Sequence, residues 1–159
     1  MTTGTSTGTP MGTTTSADGQ SAARGGTNSA VATWHGGWLC STRAGAFELT
    51  VDEPPEVGGT GQGPMPTDLL LASVASCYAL ALAWAARKNG VDLPDLTVTA
   101  TGTYAGPRFG SLALTVHTSL AASVVTPLLE PAKRVCYVTN TLADQPDIAV
   151  RLAEPTGVP

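Results

Sequence analysis

Five side chains in this sequence bring nucleophilic, redox or metal chemistry without needing a surrounding motif: Cys40, Cys77, Cys136, His35 and His117. No pair of cysteines and no pair of histidines shows the short ligand spacing of a zinc site, so no metal is expected. Cys77 lies in the middle of an apolar stretch, on one helical face with Leu70, Val74, Ala81 and Trp84 at three- and four-residue steps. A free cysteine in such a place commonly packs as a small hydrophobe. Cys136 follows Ala132-Lys133-Arg134-Val135 and precedes a second helical stretch. There a helix N-terminus and two cations would lower a thiol pKa. Cys40 sits on a strand without special neighbours and reads as structural. A redox role for Cys77 and Cys136 and a packing role for both stay open at this point.

Other chemistries lack their signatures. Gly59-x-Gly61-x-Gly63 resembles neither a dinucleotide fingerprint, which follows a buried strand as G-x-G-x-x-G, nor a P-loop, which needs a Gly-Lys-Ser/Thr ending. Pro54, Pro55 and Glu56 precede the run and no lysine follows it, so it reads as a flexible loop feeding a helix. No G-x-S-x-G elbow marks a serine hydrolase.

The elements that must carry the cysteines follow from periodicity. Residues 30–34, 38–42 and 46–51 read as a three-stranded meander, turning at Gly36-Gly37 and at Arg43-Ala44-Gly45. A loop dense in proline and glycine runs from Asp52 to Met65. Pro66 then stands at a first helical position, with Asp68 in the first turn. The helix continues to about Asn89, with Arg87 and Lys88 in its last turn and Gly90 beyond it. Its residues 69–86 carry no charge and are apolar nearly all round, which predicts a central, buried helix rather than a surface one. Residues 96–101 and 112–117 alternate as two joined strands. Thr126-Pro127 reads as the start of a short helix toward Val135, a second short helix is expected over 137–142, and 148–152 reads as a final strand. Hairpin-connected strands with segregated helices make this an α+β fold.

Length and composition bound the rest. The chain of 159 residues fits one domain. Residues 1–29 read as a disordered tail, because the first 30 hold nine Thr, six Gly and four Ser; the folded unit is expected over 30–159. A net charge of −4 argues against a nucleic-acid partner and against a polybasic membrane surface. No signal peptide is read at the N-terminus, and residues 69–86, near the lower length limit for a bilayer span, read as a core helix. The expected compartment is the cytoplasm. Only 13% of residues are charged, about half the usual share. An apolar helix of this length in a monomer with so few charges would expose too much apolar surface, which argues for an obligate dimer.

The segment Gly58-Gly59-Thr60-Gly61-Gln62-Gly63-Pro64-Met65-Pro66-Thr67-Asp68-Leu69-Leu70-Leu71-Ala72, followed by Ala75-Ser76-Cys77, resembles the signature of the OsmC/Ohr family. The later Ala132-Lys133-Arg134-Val135-Cys136-Tyr137-Val138 resembles that family's second cysteine motif. The likeness runs from about Ala30 to Leu152. It implies an intertwined α+β homodimer, with antiparallel sheets packed on long buried central helices and two sites at the interface. It implies thiol-dependent reduction of organic hydroperoxides, with no cofactor. Cys77 would be the peroxidatic cysteine, Cys136 the resolving one, and a dithiol or a lipoylated protein the reductant. The family's acidic position ten residues before its first cysteine is Thr67 here, and Trp38 stands at one place where the family has an arginine. Arg43, Arg108 and Arg134 are therefore the candidate cations for a thiolate. A reading of another class remains beside this one: a non-catalytic dimer that keeps the fold and binds a small molecule in an apolar pocket.

Overall fold

Three short strands, β1 (Ala30–Trp34), β2 (Cys40–Ala44) and β3 (Phe47–Val51), form an antiparallel meander in the order β1-β2-β3. They belong to a computed structural model that describes residues 26–153, so the expected tail over 1–29 falls almost wholly outside the described residues. Strand β2 begins two residues later than its alternation suggests. Trp38 and Leu39 close the glycine turn instead, with the Leu39 N–H donating to the Gly36 carbonyl at 3.1 Å and the His35 N–H to the Leu39 carbonyl at 2.9 Å.

The glycine-rich segment after β3 is ordered by one buried carboxylate. Asp52 is 1% exposed and accepts the Thr60 hydroxyl at 2.6 Å. It also accepts the backbone N–H groups of Glu53, Thr60 and Gln62, at 2.9, 3.0 and 3.2 Å. Two glycines have no room for a side chain: a Cβ on Gly59 would strike the Glu53 carbonyl, and one on Gly63 the Thr50 carbonyl. A single 3-10 turn, Pro55–Val57, completes the loop. The Thr60 hydroxyl, ahead of the three N–H donors and against the effect of burial, holds the Asp52 carboxyl below its ordinary 3.8. A depressed carboxylate stabilises the fold above the unfolded value and loses that contribution as the pH falls through the folded one. In Asp52→Asn the amide would turn N–H groups toward N–H donors. The variant should therefore melt below wild type at pH 7. As the pH falls below 3.8 toward the lower folded value, the melts of the two proteins should converge, because the wild-type carboxylate becomes protonated in the folded state only there.

Pro66 does open the long helix, α1 (Pro66–Lys88), and the Asp68 carboxylate caps it by accepting the Met65 N–H at 3.1 Å. One face of α1 is buried: Val74, Tyr78, Ala81, Leu82, Ala85 and Ala86. Within the single chain the opposite face is open, with Leu80 74% exposed and Leu70 and Trp84 also on the surface. Burial all round is thus not achieved by this chain alone. The helix is long and apolar enough to cross a bilayer by length and composition, yet its inner face forms the core of the described residues.

The hairpin β4 (Thr97–Tyr104) and β5 (Phe109–His117) is longer and tighter than the alternation indicates. The Ala105 N–H donates to the Arg108 carbonyl at 2.8 Å, and the Tyr104 and Phe109 rings meet at 4.6 Å. Helix α2 (Ala122–Val135) starts four residues before the expected Thr126-Pro127, so Pro127 and Pro131 both lie inside it. Both sit off the buried stripe of Val125, Leu128 and Ala132, where the missing N–H donors leave carbonyls near water rather than in the core. Helix α3 (Tyr137–Ala143) follows with only Cys136 between them.

The expected strand over 148–152 is not formed. Ile148, Val150 and Leu152 are 88%, 93% and 98% exposed. Period-two alternation gives a strand its two faces, but a strand also needs a neighbour to take its N–H and C=O groups. Nothing in the described part of this chain pairs with it.

Candidate thiol-pair site

Cys77 and Cys136 lie 59 residues apart in sequence and meet because α1 and α2 share one apolar cluster. It joins Tyr78, Ala81, Leu82, Ala85 and Ala86 of α1 to Leu128 and Ala132 of α2 and to Cys136. The Tyr78 hydroxyl fixes the two helices by donating to the Leu129 carbonyl at 3.0 Å. Cys136 is fully buried, whereas Cys77 is half-buried and packs on the rim of the cluster. Each thiol shifts the acidity of the other. Cys40, the third free cysteine, lies apart on β2 opposite Trp34 and Val51.

The two sulfurs are treated differently by their surroundings. Burial pushes the Cys77 thiol up, and the negative charge of a Cys136 thiolate adds to that, against N–H donation from Val138 and Tyr137. Burial also pushes Cys136 up, but the Thr139 hydroxyl and N–H, the Cys77 thiol and the Val138 N–H together outweigh it and bring the thiol below its ordinary value. The pair therefore loses its first proton from Cys136 and holds the second on Cys77, as coupled groups do.

The candidate cations are not brought to this pair. Arg43 lies on β2, beside Val31 and opposite Glu48 in the register of the meander. Arg108 is in the hairpin turn, and Arg134 is exposed, its carbonyl accepting the Asn140 side-chain amide at 3.1 Å. Donors to the sulfurs are backbone N–H groups, one hydroxyl and one thiol, with no guanidinium among them. Thr67 sits in the first turn of α1 and accepts the Tyr104 hydroxyl at 2.9 Å, tying the helix start to the hairpin. Sequence reasoning missed Thr139, whose hydroxyl also donates to the Cys136 carbonyl at 3.2 Å. Its signal was a threonine three residues after a cysteine at a helix start, a position from which a side chain reaches back to the cap. Beyond Thr139 and Tyr78 a cleft of about 640 Å3 opens between β5 and the helices, with Leu112, Leu114, Leu129 and Lys133 in its walls.

Residues 59–151, more than half of the chain and with Cys77 and Cys136 among them, match the family model of OsmC-like proteins. The chain belongs to the OsmC family. A solved OsmC-family structure from Legionella pneumophila, named an organic hydroperoxide resistance protein, is 30% identical. It superposes with a TM-score of 0.60 over 73% of this chain and 88% of that one. Another, named an organic hydroperoxide resistance protein from Elizabethkingia anophelis, is 26% identical, with a TM-score of 0.55 over 72% of this chain and 87% of that one. A curated relative, YmaD of Bacillus subtilis, is 30% identical over 59 residues, which is 37% of this chain and 39% of that protein.

Proposed function

We propose that this OsmC-family chain is a thiol-dependent hydroperoxide reductase of oxidative-stress defence that works through Cys77 and Cys136. The observation that carries the reading is the meeting of two free thiols at one apolar cluster, Cys136 within it and Cys77 packed against it, with acidities pushed in opposite directions. The names of the Legionella and Elizabethkingia relatives, organic hydroperoxide resistance proteins, support a hydroperoxide as the substrate.

In the mechanism that follows, the Cys136 thiolate takes the Cys77 proton as the Cys77 sulfur attacks the O–O bond of an organic hydroperoxide. One oxygen stays on Cys77 as a sulfenic acid, and the other leaves as an alkoxide that water protonates to the alcohol. Cys136 then attacks the sulfenic sulfur. Its proton goes to the departing hydroxide, and water and a Cys77–Cys136 disulfide result. Two thiols are oxidised and one peroxide is reduced. The Cys136 thiolate thereby stands in for the general base that no guanidinium-bound carboxylate supplies. A dithiol, free or as the lipoyl group of a protein, would return the electrons.

The functional unit in this reading is a cytoplasmic homodimer. Its support is the apolar surface that one chain leaves open: Val31, Trp34, Trp38 and Phe47 on the meander, Leu80 and Trp84 on α1, and Ile148, Val150 and Leu152 in the segment that forms no strand. The three free cysteines fit a reducing compartment. The cleft beside Thr139 favours the second reading, in which the fold only binds a small molecule. Thiol titration separates the two. Adding one equivalent of cumene hydroperoxide to the reduced protein should remove two of its three thiols and join Cys77 to Cys136. Three thiols surviving an excess of peroxide would leave only the binding reading.

A further inference from the structure

The pair offers a ligand two sulfurs and no further donor side chain of metal-binding type. Cys136 is fully buried within the apolar cluster, and Cys77, half-buried on α1, packs against it. Among the described residues, no three His, Cys, Asp or Glu side chains come together as a metal site would require. Cys40, the third free thiol, is held on β2 opposite Trp34 and Val51. These properties narrow the class of ligand. A structural zinc ion takes four ligands, two more than the pair supplies. Sulfur favours a soft acceptor. An apolar surround favours a product without net charge, because a charged one would be buried unpaired. Inorganic arsenite has three hydroxyls to exchange and no third sulfur here to receive it. A trivalent arsenical that already carries one carbon substituent has two positions left, and closing both on sulfur gives a neutral product.

We propose that Cys77 and Cys136 form a capture site for monosubstituted trivalent arsenicals, R–As(OH)2, which they hold as a cyclic dithioarsenite between α1 and the junction of α2 with α3. Two As–O bonds break and two As–S bonds form, and each thiol proton leaves with a hydroxyl as water. Arsenic stays trivalent, neither sulfur changes oxidation state, and no oxidant or reductant is consumed. The second As–S bond closes within one molecule, so the pair holds arsenic far more tightly than either thiol alone. The proposal uses the two side chains of the reductase reading but none of its redox chemistry, so the two readings fail separately.

The test is a titration of the reduced, full-length protein with phenylarsine oxide, which hydrates to this form. Mass spectrometry should show one phenylarsenic group per chain, and iodoacetamide followed by peptide mapping should find Cys40 alone alkylated. Excess 2,3-dimercaptopropanol should strip the group and return all three thiols. Cys40→Ser should bind as wild type does, whereas Cys77→Ser and Cys136→Ser should each lose about a hundredfold in affinity. Sodium arsenite should bind more weakly than phenylarsine oxide, and zinc chloride should leave the pair open to iodoacetamide. No uptake of phenylarsine oxide, uptake on Cys40, arsenite or zinc protecting the pair as well, or single-cysteine variants with wild-type affinity would overturn the proposal. Capture of phenylarsine oxide by a protein whose thiols survive hydroperoxide would remove the reductase reading and leave this one standing. Disulfide closure by hydroperoxide without capture would do the reverse.

Discussion

Hydroperoxide consumption should vanish in Cys77→Ser, falling at least about a thousandfold to the uncatalysed rate, the scale on which a lost nucleophile is felt. A serine hydroxyl in the same half-buried place ionises far too reluctantly to attack an O–O bond. Cys136→Ser should behave differently, with one turnover that stops at a Cys77 sulfenic acid. A sulfenic-acid probe should trap that species, and excess peroxide should carry it on to sulfinic acid. The pH dependence separates the two roles further. With Cys136 present the pair gives up its first proton below the ordinary thiol value of 9.0, so the peroxide rate should level off below that pH. In Cys136→Ser the base is gone, and Cys77 must ionise by itself against the burial that pushes it up. The rising limb of the first turnover should then move to higher pH. Stopped-flow traces of both proteins across the pH range check the sign; a shift to lower pH would remove Cys136 from the role of base.

Leu82→Ala should be the most damaging apolar truncation in the core. Leu82 is 0% exposed and belongs to the cluster that holds Tyr78, Leu128, Ala132 and Cys136 together. Removing its branched end deletes contacts and leaves a cavity that close-packed helices cannot fill, at about 3 kcal/mol. That is a large share of the stability of an ordinary domain. The midpoint of thermal unfolding should drop by roughly 10 °C, with an unchanged urea m-value if the unfolded state is unaffected. Because Cys136 lies in the same cluster, the damage should reach chemistry too. Disulfide closure at temperatures well below the melt should therefore slow.

The sequence announces the parts of this fold that local pattern controls. Pro66, Asp68, Arg87, Lys88 and Gly90 mark α1 to within a residue, because caps and dipole partners act within one turn. The meander and the antiparallel hairpin follow from alternation and turn residues. Pro127 misplaced the start of α2, since a proline at a helix start and one tolerated on an outer face look alike in a string of letters. The alternation of 148–152 is real, but pairing is a property of two strands and only one was legible. Asp52 read as the first residue of a loop, because the hydrogen bonds that make it the loop's centre reach residues eight and ten positions away. At the site, both cysteines were legible as positions and as a motif. Their unequal acidity was not: it comes from Thr139 and from backbone N–H groups, whose direction is set only once α3 is in place.

A single residue separates α2 from α3, and it is the cysteine. Cys136 has φ −79° and ψ 107°, outside the helical region, while helices of 14 and 7 residues run from its two sides. The thiol is thus mounted on the pivot between two helical arms, and a change of backbone torsion at this one residue would reorient α2 against α3.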